Sequence, residues 1–589
     1  VVRVLPDVPA IDRTFDYRLP EGIGTVRVGT VVRVPLSGRS VRGWVLDDDV
    51  RDVHRGRLSE VSRVQGVGPD AEVVGLCRWA AWRWAGRLAT MLRLATAPRL
   101  VRSVPAPRVR PARAGAGTPW GSEEPDGVIV LEQSPLEDPV ELSLAMAARG
   151  QAIVVAPSVA TVDRLTRELR RGGAAVARWP EDWAAAASGA TVVGGRSAVF
   201  APAPALAGVL VVDEHDEALQ SESSPTWHAR EVAVERAARR GVPVVLASPV
   251  PTLEARLAAG SIGSPAPDGS RPMAPVLRPT RSRQREGWAP LTVVDRRGED
   301  VGRSGLYSTA LVAALRDCLE RGETAVCVLN RTGRARLLAC RSCGSMAECA
   351  VCAAAVRQGD GTGLRCDRCG AGRPMVCLAC GSGALANLRV GVSRAREELE
   401  ALVRVPVAAV TGAATDASVV GSERVVVGTE AALHRVPAAG LVAFLDLDQE
   451  LLAPRYRAAE EALALLVRAS RAVGGRRRGG RVLVQTRLPE HEVLLAALRA
   501  DPGIVAAAEL ERRTLLSLPP MATIAVVAGP AAEEFVGRLD GPAGIEVLDA
   551  GEGRWILRAA ERATLLDRLA EVRRPGGRLS LQVDPLRIR

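Results

Sequence analysis

No lysine occurs anywhere in this 589-residue sequence; all 78 basic residues are arginine. Every chemistry that needs a lysine amine is thereby excluded, from Schiff-base catalysis to the lysine of a phosphate-binding loop. Long apolar runs are missing too. The longest uncharged stretches, such as Ser197–Val212, contain prolines and are too short to span a bilayer. Val1–Thr30 carries Asp7, Asp12, Asp16 and Glu21 with no apolar centre, so it reads as neither a signal peptide nor an anchor. A cytoplasmic protein that does not engage membranes is the expectation.

Cysteine, by contrast, is concentrated. Eight of the eleven fall between Cys340 and Cys380 as four Cys-x-x-Cys pairs: Cys340/Cys343, Cys349/Cys352, Cys366/Cys369 and Cys377/Cys380. Two residues between thiolates let one tight turn offer both sulfurs to one ion, and two such turns close a tetrahedral site. Eight thiolates therefore predict two structural Zn²⁺ ions, in preference to disulfides or an iron–sulfur cluster. The spacing leaves sequential, nested and interleaved pairings open.

The net charge of +11 and a pI near 9.6 point to an anionic partner, nucleic acid first among them. The length calls for several domains. Residues 1–66 alternate apolar and polar positions in short runs broken by Pro and Gly, which predicts a small β domain. Residues 67–104 turn helical, with Val73, Leu76, Trp79, Ala80, Trp84 and Leu88 at helical spacing. Trp79, Trp82 and Trp84 read as core residues.

Residues 105–126 are rich in Pro, Ala, Gly and Arg, a linker whose Arg108, Arg110 and Arg113 read as solvated charge. Buried-looking strands then alternate with helices over 127–275, the grammar of a parallel α/β sheet. A second such lobe starts over 276–338, is interrupted by the cysteine block at 339–383, and resumes over 384–500. Residues 501–589 read as a smaller α+β unit.

Motifs in a fixed order give this layout a family. Thr14-Phe-Asp-Tyr17 and Val32-Arg-Val-Pro35 stand at the amino end; Gly195–Pro202, Val211-Val-Asp-Glu-His-Asp216 and Trp227-His-Ala-Arg230 follow in the first lobe. Leu329-Asn-Arg331, Val427-Gly-Thr429, Arg455-Tyr-Arg-Ala-Ala-Glu460 and Val484-Gln-Thr486 lie in the second, and Leu518-Pro-Pro520 and Val583-Asp-Pro585 in the tail. With the cysteine array, they make the chain resemble the PriA replication-restart family of superfamily 2 DNA helicases, nearly end to end. The resemblance implies a multidomain α/β protein: two RecA-like helicase lobes with an inserted two-zinc module, an N-terminal β domain that binds DNA 3′ ends, a winged-helix-like module and a C-terminal α+β domain. It also implies that Cys340, Cys343, Cys377 and Cys380 share one zinc while Cys349, Cys352, Cys366 and Cys369 share the other.

The departures from the family are as telling. Its phosphate loop, Gly-Ser-Gly-Lys-Thr, is replaced by Glu132-Gln-Ser-Pro-Leu-Glu-Asp-Pro-Val-Glu141, with no glycine and no lysine. Glu132, Glu137, Asp138 and Glu141 would face a polyphosphate at a cost of about 1 kcal/mol per like-charged contact even in water, and Pro135 and Pro139 remove N–H donors. No ordinary site for ATP and Mg²⁺ is expected.

Asp213 and Glu214, which in an active relative would hold Mg²⁺ and position water, read as remnants. The Gly-Ser-Ala-Thr-Pro step has become Ala247-Ser-Pro-Val-Pro251, and Gly-Thr-Glu has become Gly391-Val-Ser-Arg394. Ala472 and Gly475 stand where the family has finger arginines, with Arg471 and Arg476 one residue away. This pattern resembles the degenerate actinobacterial branch of the family.

On the DNA side, Phe15, Asp16 and Tyr17 match the element with which the family holds the 3′ end of a nascent strand. An aromatic ring suits a terminal base, and a carboxylate accepts a hydrogen bond from a 3′-hydroxyl. Strand alternation, however, puts Phe15 and Tyr17 on one face and Asp16 on the other. Trp227 is the aromatic left in the loop that couples DNA to ATP in active relatives, where Ala218 and Leu219 replace Ser-Tyr. Arg476, Arg477 and Arg478 form a candidate phosphate clamp.

The expectation is a restart-primosome protein that binds abandoned forks and promotes reloading of the replicative helicase, without ATPase or helicase activity of its own. By resemblance its partners are forked DNA, single-stranded DNA-binding protein, and the replicative helicase or its loader. The alternatives are an active ATP-dependent 3′→5′ DNA helicase and a zinc-ribbon RNA-binding or transcription factor; the last leaves the two lobes unexplained.

Overall fold

The computed structural model describes residues 1–589 apart from 10, 52–57, 114–126, 261–275, 300–304, 330–337, 359–362, 388–391, 411–422, 437, 540, 542 and 589. The amino-terminal domain is a five-stranded antiparallel sheet, in spatial order Phe15–Tyr17, Val2–Pro6, Arg39–Asp47, Val31–Leu36 and Arg63–Gly66. Alternation divides its apolar residues cleanly. Val2, Val4, Tyr17, Val32, Val34 and Val45 form a core on one face; Leu5, Val31 and Trp44 face the other way, toward two helices.

Those helices, Ala71–Arg83 and Leu88–Ala95, make up the described structure of residues 67–104 that was expected as a winged-helix-like module; no strand lies there among the described residues. Asp70 caps the first by accepting from the Val73 N–H at 2.9 Å. Trp84 is fully buried and meets Trp79 edge to face at 5.6 Å, and the Trp82 indole donates to Asp567 of the carboxyl-terminal domain at 2.8 Å. Buried Trp44 donates to Thr96 at 2.9 Å, tying the helices to the sheet.

The expected linker does not hang free over its described part: Arg108 and Arg113 donate backbone N–H groups to Ser188 and Gly172 carbonyls, and Arg110 O accepts from Ala175. Beyond it each lobe carries a six-stranded, all-parallel sheet. The first runs Val128–Glu132, Val244–Ser248, Leu206–Val212, Gln151–Val155, Thr191–Gly194, Val176–Arg178. The second runs Leu291–Asp295, Arg481–Thr486, Leu441–Phe444, Ala325–Val328, Val425–Gly428, Val407–Val410. Helices cover both faces, as parallel sheets require.

The cysteine block sits between two strands of the second sheet as short hairpins: Leu338–Cys340 pairs with Leu385–Asn387, and Val356–Gln358, Gly363–Cys366 and Gly372–Pro374 form a three-stranded sheet. The carboxyl-terminal domain is a four-stranded antiparallel sheet with helices Ala532–Gly537 and Arg562–Glu571 on it. One apolar core runs through the amino-terminal helices, the first lobe and this last domain, so these units pack as one body. Among the described residues no helix is long and apolar enough to cross a membrane.

Candidate functional site: cleft, metal centres and nucleic-acid surface

The first strand of the first lobe ends at Glu132, and the loop after it is filled from within. The Glu132 carboxylate is buried; it accepts from Gln284 Nε2 at 3.0 Å and lies 3.5 and 3.4 Å from Arg256 and Arg278. Burial pushes its carboxyl above the usual range in spite of both cations. Glu137 pairs with Arg283 at 2.8 Å and Asp138 with Arg164 at 2.9 Å. Helix Pro139–Ala148 opens directly after this loop, and Asp138 caps it, accepting from the Val140 N–H at 2.9 Å.

Across the cleft, helix Ala458–Val473 of the second lobe reaches into the same place. Arg471 makes a bidentate fork to Asp213, Nη1–Oδ2 2.8 Å and Nη2–Oδ1 2.7 Å, and its Nε donates to the Pro135 carbonyl at 2.8 Å. Asp213 sits at φ +49, a left-handed conformation unusual outside glycine. Burial raises its carboxyl pKa, but the Arg471 guanidinium outweighs that and the net shift is downward. Glu214 is fully buried and saturated by Arg230 Nη1 at 2.8 Å, the Thr252 N–H at 2.7 Å and the Thr252 hydroxyl at 3.0 Å.

Two glycines let the surrounding backbone close on this loop. A Cβ on Gly287 would lie 1.9 Å from Ser134 Oγ, and one on Gly475 would meet Glu286 O at 2.5 Å and Leu136 Cδ1 at 2.7 Å. Arg468 adds a pair to Asp216 at 3.1 Å. Ala472, in a finger position, is buried, whereas Arg476 is exposed and donates to the Glu286 and Arg285 carbonyls. Arg477 pairs with Glu286, and Arg478 is exposed beside them. Asn330, Arg331 and the side chains of Gly391–Arg394 lie outside the described residues.

In the cysteine block the structure nests the pairs. Cys340, Cys343, Cys377 and Cys380 form one group and Cys349, Cys352, Cys366 and Cys369 the other. Sulfur separations are 3.6 Å for Cys340–Cys380 and Cys343–Cys377, and 3.5 Å for Cys349–Cys369 and Cys352–Cys366. A tetrahedron with metal–sulfur bonds near 2.3 Å has edges of about 3.8 Å, so both donor sets fit a zinc-sized ion. The Val351 and Arg368 N–H groups point at Cys349 and Cys366 sulfurs at 3.4 Å, and the Ser345 hydroxyl helps hold the Cys343 thiol down at about 6, which favours the thiolate a metal needs.

The amino-terminal residues are split as alternation predicts. Tyr17 is buried, its hydroxyl donating to the Pro35 carbonyl at 3.1 Å. Phe15 is half-buried beneath the Arg13 guanidinium at 4.9 Å. Asp16 lies on the opposite face, held by Arg3 through Nε at 2.8 Å and Nη2 at 3.2 Å. Trp227 is buried edge-on against Phe200 at 5.3 Å and presents no open face to a base.

Residues 3–97 match the model of the 3′DNA-binding domain (3′BD) of PriA, a span covering both the sheet and its two helices. Relatives from Mycobacterium bovis and Mycobacterium tuberculosis, carrying the name probable replication restart protein PriA, are 30% identical over 99% of this chain and 99% of theirs. The chain belongs to the PriA family. The replication restart protein PriA of Bacillus subtilis is 28% identical over 57% of this chain and 43% of its own length, so the chain aligns with less than half of that relative. Among solved structures, Saccharomyces cerevisiae Dbp5 bound to Gle1 and IP6 aligns at 12% identity and TM-score 0.34 over 67% of this chain and 89% of that one. RecG bound to a three-way DNA junction aligns at the same identity and score over 66% and 44%.

Membership in the PriA family was readable from the motif order; the ion-pair networks of this member were not. Buried Arg513 of helix Gly503–Leu515 is satisfied by Glu509 at 2.7 Å, Glu460 at 2.5 Å and Glu254 at 3.2 Å. Only the i,i+4 spacing of Glu509 and Arg513 was visible along the chain.

Proposed function

We propose that this PriA-family protein is a replication-restart platform that binds forked DNA and supports reloading of the replicative helicase without hydrolysing ATP. Family membership and the 3′DNA-binding domain support the DNA half of this reading. The observation that carries the other half is the Arg471–Asp213 fork: a guanidinium stands against the carboxylate to which an active relative would bring Mg²⁺. Asp138, in place of phosphate, caps the adjoining helix. No lysine is available to restore the lost charge.

In this reading Asp16 meets the 3′-hydroxyl from the strand face opposite Phe15, and Arg476, Arg477 and Arg478 line an exposed edge for phosphate. The two cysteine groups would hold one structural zinc each, fixing the hairpins of a module with little apolar core of its own. Single-stranded DNA-binding protein and the replicative helicase or its loader are the partners the family implies, in the cytoplasm. The competing reading, an ATP-driven 3′→5′ helicase, draws its support from the retained Asp213 and Glu214.

Isothermal titration with ATP and Mg²⁺, paired with forked-DNA binding, separates the two. The platform reading expects no nucleotide uptake, no fork-stimulated phosphate release, and fork binding that weakens when the 3′-hydroxyl is replaced by 3′-phosphate. Magnesium-dependent ATP binding with stimulated turnover would overturn it in favour of the helicase. Fork binding indifferent to the 3′ group would remove the end-recognition role of Asp16.

A further inference from the structure

Three arginines stand side by side across the amino-terminal sheet, on strands Val31–Leu36, Arg39–Asp47 and Arg63–Gly66 and apart from Phe15, Asp16 and Tyr17. In the antiparallel register Arg33 lies opposite Arg42 on one neighbouring strand and opposite Arg63 on the other. Cross-strand partners share a face, so the three project together, on the side away from Val32, Val34 and Val41. Like charges directly opposite one another on a sheet destabilise it.

Among the described residues little offsets that repulsion. Arg33 Nη1 donates to the Ser40 carbonyl at 2.8 Å, and the Arg42 guanidinium lies 5.4 Å from the centre of the Trp44 ring. Among the described residues, the one carboxylate within 4 Å of any of the three is Asp7, 3.9 Å from Arg42 Nε; Asp7 is engaged more closely by Arg93, at 2.7 Å. Arg42 thus shares its acid with Arg93, and Arg33 and Arg63 have no carboxylate within 4 Å among the described residues. The Nε atoms of Arg33 and Arg42 are buried without a hydrogen-bond partner, and Arg63 is exposed. Those Nε atoms are enclosed, but the Arg42 side chain is 37% accessible and Arg63 is exposed, so the outer nitrogens of a row of like charge are what an anionic ligand would complete.

From this placement we infer that Arg33, Arg42 and Arg63 form a phosphate-binding row for the DNA backbone, separate from the 3′-end element at Asp16. The inference rests on the fork-binding reading above. Adjacent strands are about 4.8 Å apart, so the row spans about 10 Å; one strand of a duplex presents a charge about every 3.4 Å along its axis. Three guanidiniums therefore match a short run of successive phosphates, a density a folded acidic protein rarely offers. Asp16 pairs with Arg3 at one end of strand Val2–Pro6, whereas the row lies beyond its other end, where Pro6 pairs with Gly43 beside Arg42. The row would set affinity and path, leaving terminal chemistry to Asp16.

The test is fluorescence-anisotropy binding of the full chain to labelled forked, duplex and single-stranded DNA across a sodium chloride series. The unaltered protein is compared with R63Q and with the triple variant R33Q/R42Q/R63Q. Each lost phosphate contact lowers the slope of log K against log salt by about 0.9 on duplex and about 0.7 on single strands. The triple variant should therefore lose between about 2 and 3 units, and R63Q about one. The arm in which the slope falls identifies which DNA occupies the row. The preference for a 3′-hydroxyl over a 3′-phosphate should stay unchanged, and the melting temperature should hold or rise, because like charges have been removed. Fork binding with unchanged slope in both variants overturns the row. Loss of binding to a polyglutamate probe with DNA slopes intact also overturns it, in favour of an acidic protein partner. Failure of the unaltered chain to bind any fork instead brings down the fork-binding reading on which the row depends.

Discussion

At the residue scale, the decisive pairing is Arg471 with Asp213. Replacing Arg471 with alanine leaves a largely buried carboxylate without its cation and should cost about 1–3 kcal/mol of stability near neutral pH. The lower part of that range allows for the solvent exposure of Arg471, whose side chain is 35% accessible. Asp213 titrates below the ordinary aspartate range in the folded protein because Arg471 outweighs the effect of burial. The unfolded chain therefore takes up this proton first as pH falls. The pair's contribution is fully present above about pH 4 and disappears as pH drops through the folded value. Urea unfolding should show the parent and R471A well separated at pH 7 and converging toward pH 3; a gap of constant size would mean that Asp213 is not the group that Arg471 serves. The sequence made the loss of the phosphate loop plain, because the absence of lysine and the run of acids are local facts. It could not reveal the fork, since Arg471 and Asp213 lie 258 residues apart and meet only through the docking of two lobes.

At the scale of elements, regular structure was largely legible and pairing was not. The apolar runs at Val209–Val212 and Val242–Leu246 announced buried parallel strands, because strands covered on both faces need apolar residues at every position. Cys-x-x-Cys turns announced metal knuckles, but a turn fixes only two ligands; which turns meet depends on the hairpins between them. Strands Leu338–Cys340 and Leu385–Asn387 bring the first and last pairs together, and the three-stranded sheet between them brings the inner two. The module has little other support. Its apolar cluster is small and consists in part of Cys349, Cys352 and Cys366 themselves. The substitution Cys349→Ser should therefore reduce bound zinc from two equivalents to one and open the segment 349–374 to protease, while fork binding by the amino-terminal domain persists. Metal content by a chromogenic chelator, read beside limited proteolysis, checks this; retention of two equivalents would show that the inner four cysteines do not share an ion.

At the scale of the whole molecule, the lobes are joined by charge as much as by apolar contact, and the joint is itself titratable. A cavity of about 320 Å³ opens between them, lined by Ser158, His215, Asp216, Glu217 and Glu222 from the first lobe and by Glu430, His434, Glu450, Arg455, Arg457, Glu460, Glu461 and Arg468 from the second. Acids outnumber cations there. Arg455 is shared between Glu450 and Glu461, with Glu461 2.5 Å from its Nε, and one Glu461 oxygen is buried with no partner. Burial, reinforced by Glu217 and Glu450, pushes the Glu461 carboxyl up to about 8 against the pull of Arg455 and Arg587. A carboxyl whose folded value lies above its unfolded value of about 4.3 binds its proton preferentially in the folded state. Its contribution to stability is complete below about pH 4 and is lost as pH rises toward about 8. Glutamine mimics the protonated form at every pH. Glu461→Gln should thus match the parent below about pH 4 and exceed it by up to about 5 kcal/mol above pH 8, flattening the alkaline side of the stability profile. Urea unfolding at pH 5 and pH 9 measures the difference. Equal stability of the two proteins at pH 9 would mean that Glu461 is already ionised at neutral pH and that Arg455 neutralises both acids, leaving the interlobe joint indifferent to protons.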